Sequence, residues 1–457
     1  MYPLLIILLV LLAYFPSLKS GYAIDDEDVK NVARPEPKNK WQKFWWQFNG
    51  YKYFDPQPEH AINLFFHLAN CLLIYYAFGK NDISFLTALL FAVNPAGTQG
   101  SVWLSGRGYC WTTTIILMMW WLSPLFYLLT PLVALNGILA PLLYLKTSWW
   151  WVGLIPIVVF ILKFIPLTSH ALKARLEQTV GKGSSISPVK ILIALKTLGY
   201  YTCLAILPIR LGIYHKYLYT YSLSVEDNKL WERTDKFFWI GLAVFLTLLI
   251  GYFFNYNQTI FGLFWFFIFI APFLNLMSLG QPIAERYCYL ALIGIMYSLS
   301  NLIMLIPDYS TKLVVITAYF IYLFTRLQFH IPAYKNIEAC VDYNIMNFPN
   351  MHAVWLWKGQ LDRKNGSYFT ALEAWFKGWR LRKTDFRLNN NIAVMLTELG
   401  FLNDAEEFLK NAEQTIIPEQ KDIAMKYITE QRKIIANERQ RLRNQEIGNR
   451  AIPKRRF

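Results

Sequence analysis

YPLLIILLVLLAYF (Tyr2–Phe15), followed within a few residues by GYAIDDEDVKN (Gly21–Asn31), decides how the rest of the chain is read. With Pro16 to Leu18 the apolar run is long enough to cross most of a bilayer. Asp25, Asp26, Glu27 and Asp28 therefore stand at a membrane surface, where the chain leaves lipid. Ionisable groups at that depth are costly to desolvate and are read first as functional, with a solvated surface loop as the alternative. The run has no basic n-region and no small-x-small site before Lys19, which favours an uncleaved first helix over a signal peptide.

Composition agrees with a membrane protein. Of 457 residues, 55% are hydrophobic and only 16% charged, against roughly 25% in soluble domains. Apolar runs recur and predict an all-α bundle of about eleven transmembrane helices. After the first they fall at His60–Gly79, Ile83–Val93, Tyr109–Leu122, Pro124–Leu145, Trp149–Pro166, Ile191–Leu207, Phe237–Phe254, Ile260–Leu279, Tyr287–Ile306 and Leu313–Phe329. Pro124, Pro131, Pro141 and Pro156 mark kinks or re-entrant turns. WQKFWWQF (Trp41–Phe48), inside the first loop (19–59), suits the bilayer interface. Lys173, Arg175, Lys182 and Lys190 against the single acid Glu177 make 168–190 a cytoplasmic loop by the positive-inside rule. Eleven spans then put the acidic stretch, the loop ending in Ser105-Gly106-Arg107, the loop ending in Glu285-Arg286 and the C-terminal region on the extracytoplasmic side.

The net charge of +15 suits anionic lipid headgroups, a phosphorylated lipid or an anionic partner, and nothing points to nucleic acid. Five isolated cysteines, with no Cys-x-x-Cys, exclude a zinc finger or a disulfide framework. In the second span His60, Asn63, His67 and Asn70 form one polar stripe, either part of a site or polar glue between helices. Residues 1–331 thus form the transmembrane domain. Beyond it, Gly366 and Gly400, Ala371 and Ala405, Gly378 and Ala412, and Thr384 and Pro418 are each 34 residues apart, the tetratricopeptide (TPR) period. A TPR-like domain is expected over 332–423, with a basic helix or tail over 424–457.

Several segments, taken in order, carry a resemblance. YAIDDEDVKN, EHAINLFFHLANCLLIYY, ALLFAVNPAGTQGSVWLSGR and PIAERYCYL resemble successive segments of the multi-pass O-mannosyltransferases with C-terminal TPR repeats, in the GT-C glycosyltransferase superfamily. The resemblance covers about residues 1–330 and implies transfer of a sugar, mannose in that family, from a polyprenyl-phosphate carrier to a protein hydroxyl. The chain departs from the family pattern at Asn94 (usually His), Gln99 (commonly an acid), Tyr109 (often Asp) and Phe164 (often Glu). A bacterial cytoplasmic membrane is favoured over the endoplasmic reticulum.

Such a transfer needs a base for the acceptor hydroxyl and cationic donors for the leaving phosphate. Asp25 or Asp26 is the candidate base, the other orienting the acceptor or, with it, holding a divalent cation such as Mg or Mn through oxygen ligands. Arg286 and Arg107 are candidate phosphate clamps, because guanidinium offers paired donors. Glu285, His60, Asp28 and Tyr287 are supporting candidates; Glu285 either orients Arg286 or closes a plain ion pair, and His60 is either a ligand or a core histidine. The acceptor protein or peptide is expected to use the TPR region. Two rivals stand beside this reading: a catalytically inactive membrane scaffold whose TPR region recruits a partner, and a transporter or flippase for lipid-linked sugars.

Overall fold

A computed structural model describes residues 1–24, 26, 38–40, 43, 56–126, 135–146, 188–213, 234–276, 283–416 and 421–450. Among the described residues every regular element is helical. Those up to Tyr343 form one compact unit and those from Asn344 on a second.

Among its described residues the first unit holds α1 (Tyr2–Tyr14), α2 (Pro56–Ala77), α3 (Asp82–Val93), α4 (Arg107–Trp121), α5 (Pro188–Ile206), α6 (Lys236–Phe254), α7 (Gln258–Ile270), α8 (Glu285–Met304) and α9 (Tyr309–His330), then the start of α10 (Ile337–Asn347), whose residues from Asn344 on count with the second unit. Six of its segments are helical and apolar enough to cross a membrane: Tyr2–Lys19, Pro58–Ala77, Pro188–Ile206, Lys236–Phe254, Glu285–Met304 and Tyr309–Tyr334. Asp82–Val93 and Gln258–Phe273 are shorter apolar helices, and α4 has 15 residues. The expected fifth span is different in kind: Leu135–Lys146 is a 3-10 helix with Pro141 inside it, a residue that cannot donate to an α-helical ladder. The expected sixth span and most of the basic 168–190 loop lie outside the described residues, as does WQKFWWQF apart from Lys43.

Burial sorts these helices into layers. The α8 span is 83% buried, whereas those of α6 and α9 are only 17% and 22% buried. The α8 helix is the axis on which α3, α4 and α7 pack. Phe253, Phe254 and Trp239 of α6 and Val314, Ile321 and Phe329 of α9 face outward, which suits a hydrocarbon solvent. Two crossings depend on glycine. A Cβ on Gly199 of α5 would lie 1.9 Å from the Phe237 carbonyl oxygen, and one on Gly241 of α6 would lie 1.8 Å from that of Leu195. Gly262 of α7 and Gly294 of α8 meet in the same way. In lipid, close backbone approach of this kind takes the place of the hydrophobic drive.

The helices run alternately along the bundle, and its two ends differ. Three turns at one end are tight and capped: Asn81 and Ser84 close a reciprocal capping box on α3, Asn257 caps α7 and Asp308 caps α9. Phe78 meets Phe261 and Tyr297 there. The opposite end gathers longer segments from all along the chain, and these carry the polar residues.

The second unit is a pair of helical hairpins and a long helix. α11 (His352–Lys364) and α12 (Tyr368–Leu381) form one hairpin, α13 (Phe386–Glu398) and α14 (Leu402–Gln414) the next. Their starting residues are 34 positions apart, and Gly366 and Gly400 take equivalent turn positions with φ of 77° and 84°, conformations that favour glycine. Trp375, Leu388, Ile392, Ala405 and Leu409 make the core. α15 (Lys421–Arg450) lies along α14, with Ile428 and Ile435 buried and Arg432 on Glu413, Arg439 on Glu406.

Candidate functional site

The polar end of the first unit is assembled from chain segments far apart in sequence. Asp26 is fully buried. Its Oδ1 accepts from the Ser105 N–H at 3.1 Å and the Ser105 hydroxyl at 2.8 Å, and its Oδ2 accepts from the Ala23 N–H at 3.1 Å. The side chain thereby ties the acidic stretch to the loop before α4. It also locks a strained turn, since Ile24 has a φ of 58°, an unusual conformation for a β-branched residue. Asp26 is therefore tied into the fold through both of its carboxylate oxygens. Asp25 and Asp28 lie outside the described residues.

Arg107 is tied in as well. It is fully buried, with Nη1 2.7 Å from Glu59 Oε2, Nε donating to Asn63 Oδ1 at 2.6 Å and Nη2 donating to the Glu59 carbonyl at 2.9 Å. This guanidinium fastens α2 to α4. His60, at 2% exposure, contacts the Gly21 carbonyl at 3.0 Å through Nε2. Asn63 donates to the Trp103 carbonyl, His67 pairs with the Tyr289 hydroxyl at 2.7 Å, and Asn70 donates to the Cys110 carbonyl while accepting from Thr114. Asn63, His67 and Asn70 of the stripe thereby tie α2 to the 103–114 stretch and to α8, and His60 ties it to Gly21.

Arg286 is set differently. It is half-buried, its Cζ lies 5.2 Å from the Trp103 ring centre and 5.0 Å from that of Tyr287, and the Tyr109 hydroxyl is beside it. Tyr287 in turn stacks on Phe273 at 4.1 Å with only 6° between the rings. A guanidinium over aromatic faces gains from their quadrupoles while its N–H groups stay available as hydrogen-bond donors. Its backbone N–H donates to Gln99 Oε1 at 3.3 Å, and Gln99 donates to the Gly212 carbonyl at 3.2 Å. Gly212 closes the circuit by donating to Glu285 Oε1 at 2.5 Å, while Glu285 Oε2 lies 3.2 Å from His330 Nε2. Glu285 thus holds the 207–213 segment and the end of α9. Cys340, on α10, senses the same cluster: burial first, then the Asp26 and Glu285 carboxylates, push its thiol well up from the ordinary value.

Asp26, Ser105, Trp103, Gln99, Glu285 and Arg286 consequently share one end of the bundle. Gln99, Ser105, Trp103 and His330 are absent from the sequence-based site candidates; Gln99 is marked there only as a departure from the family pattern, and Ser105 only as part of the loop ending in Arg107. Of the departures from the family pattern, Asn94 donates to the Ala205 carbonyl and accepts from Ala96 N–H, so it fastens the end of α3. Tyr109 attends Arg286, and Phe164 lies outside the described residues. Among the described residues no three His, Cys, Asp or Glu side chains are grouped to hold a metal ion. The Asp26 oxygens are engaged by N–H and O–H donors, and no chemical step below passes through a cation.

In comparisons with known proteins, no family model, curated protein or solved structure matches the chain.

Proposed function

We propose that the chain is a glycosyltransferase that takes a sugar from a polyprenyl-phosphate carrier and passes it to a protein hydroxyl. The observation that carries this reading is the meeting of the acidic stretch, through Asp26 and Ser105, with the loop that bears Trp103 and the Arg286 guanidinium, drawn from positions about 260 residues apart, at one end of an apolar bundle. A lipid-linked phosphate enters from the hydrocarbon and stops where charge is tolerated, and that end offers a cation backed by aromatic rings.

In this mechanism Asp25 takes the proton of a serine or threonine hydroxyl. The hydroxyl oxygen attacks the anomeric carbon, the bond from that carbon to the phosphate oxygen breaks, and the electron pair leaves with the phosphate. Arg286 meets that growing charge. Base and leaving group on opposite sides of the carbon give inversion. Mannose is the sugar and the extracytoplasmic face of a bacterial cytoplasmic membrane the location that the family resemblance suggests. On this reading the first unit is a GT-C-type bundle of about eleven spans and the second a TPR-like domain that engages the acceptor; the 34-residue offset of its hairpins supports the latter.

A scaffold without catalysis is the second reading, favoured by the structural use of Arg107, Asn94 and Gln99. Transfer of radiolabel from polyprenyl-phosphate mannose to membrane or secreted protein separates the two. Transfer that is lost in Asp25→Asn and Arg286→Gln, with expression kept, supports the enzyme. No transfer from any lipid-linked sugar leaves the scaffold.

A further inference from the structure

The indole N–H of Trp103 stands out among the groups at the polar end. Trp103 is only 6% exposed, yet its Nε1 has no acceptor among the described residues. A buried donor left unmet is destabilising, and in native proteins each such group calls for an explanation. The backbone that carries the ring is held in place. Its own carbonyl accepts from Asn63 Nδ2 at 3.0 Å and from Gly106 N–H at 3.1 Å, and two residues further on Ser105 is pinned to Asp26. The face of the same indole carries the guanidinium of Arg286.

The pairing of an unmet neutral donor with a half-exposed cation is what a phosphate ester requires. Several oxygens share its charge, and one can take the guanidinium edge while another takes the indole N–H. A membrane-facing surface or a core packing role accounts for the ring but not for its N–H. We propose that Trp103 is a ligand-binding residue whose indole N–H donates to an oxygen of the phosphate ester that Arg286 holds. This rests on the reading of that end as the site of a lipid-linked phosphate, and it adds to that reading a second, uncharged contact that fixes the orientation of the phosphate. Before the ligand arrives the donor is stranded, so binding relieves a cost already built into the fold.

The test is binding of polyprenyl phosphate to the full chain in nanodiscs, with inorganic phosphate and phosphatidylglycerol as parallel arms. Trp103→Phe keeps a ring for Arg286 and removes only the N–H and part of the area. It is expected to weaken polyprenyl phosphate at least tenfold, about 1.4 kcal/mol, while the ligand-free melting temperature holds or rises. A merely structural tryptophan gives the opposite pair of results, a lower melting temperature and unchanged affinity, and that overturns the proposal. Replacement of Trp103 by β-(3-benzothienyl)alanine, an isostere without the N–H, decides the matter if the phenylalanine variant does not fold. Loss confined to the lipid arm supports a polyprenyl headgroup as the ligand; an equal loss for inorganic phosphate supports the same hydrogen bond to phosphate itself. If the wild type binds, Arg286→Gln fails to bind and both Trp103 variants match the wild type, the Trp103 contact is wrong and the functional reading survives. If the wild type does not hold polyprenyl phosphate above the phosphatidylglycerol arm, both fall together.

Discussion

Replacing Glu59 by glutamine should unsettle the bundle more than any change of similar size on its surface. Glu59 and Arg107 are both fully buried, and the pair is close at 2.7 Å. Burying a guanidinium is tolerable only while its charge is matched, and breaking such a pair costs about 3–5 kcal/mol because the remaining ion stays buried. The variant keeps the Asn63 and Glu59 carbonyl contacts of Arg107, so the lower end of that range, about 3 kcal/mol, is expected. In a unit of this size that corresponds to a fall of about 5 °C or more in melting temperature. Thermal unfolding of the full chain in nanodiscs reads it directly. Arg107→Met should cost a similar amount, and the double variant should cost at least about 2 kcal/mol less than the sum, because neither charge is then stranded. A Glu59→Gln protein that melts within a degree of the wild type, or single effects that simply add, refutes the assignment of Arg107 to structure. Rescue of Glu59→Gln by added polyprenyl phosphate returns Arg107 to the ligand.

Asp26→Asn should leave donor binding largely in place but loosen the acidic stretch, lowering transfer and the melting temperature together, whereas Asp25→Asn should lower transfer alone. Gly241→Ala sets a Cβ against the Leu195 carbonyl oxygen and should destabilise the α5–α6 crossing by several kcal/mol, read as lost monodisperse protein in size exclusion. In the second unit, burial opposes the charge of Asp385, but His352, Arg387 and the Leu388 N–H outweigh it and bring its pKa down from 3.8 to about 2. A depressed carboxylate stabilises the fold above its unfolded value and loses that contribution as pH falls, so about 2 kcal/mol should vanish between pH ~4 and ~2. Asp385→Asn, which keeps a side-chain cap for α13, should be less stable at pH 6 and flat through that window when unfolding is followed by circular dichroism.

What sequence patterning could deliver is clear from particular residues. The spacing of His60, Asn63, His67 and Asn70 marks one helix face, but their partners sit as far as 222 residues away, so glue and site were indistinguishable. Arg107 read as a phosphate ligand because nothing local announces that Glu59, 48 positions earlier, meets it. The glycines at 366 and 400 were legible because a turn with positive φ demands them locally, and the two hairpins appear where the 34-residue offset places them. Pro141 marked a disturbed span but not that it would tighten into a 3-10 helix. The orphan on Trp103 has no sequence signature at all, since it is defined by what the rest of the fold leaves unmet.

A photoactivatable polyprenyl phosphate, cross-linked to the full chain in nanodiscs and mapped by mass spectrometry, bears on the central claim most directly. Label should fall on peptides containing Trp103, Tyr109 and Arg286 and be competed by unlabelled polyprenyl phosphate. Label concentrated instead on the capped turns around Asn81, Asn257 and Asp308, or label that no competitor displaces, contradicts a lipid-phosphate site at the polar end.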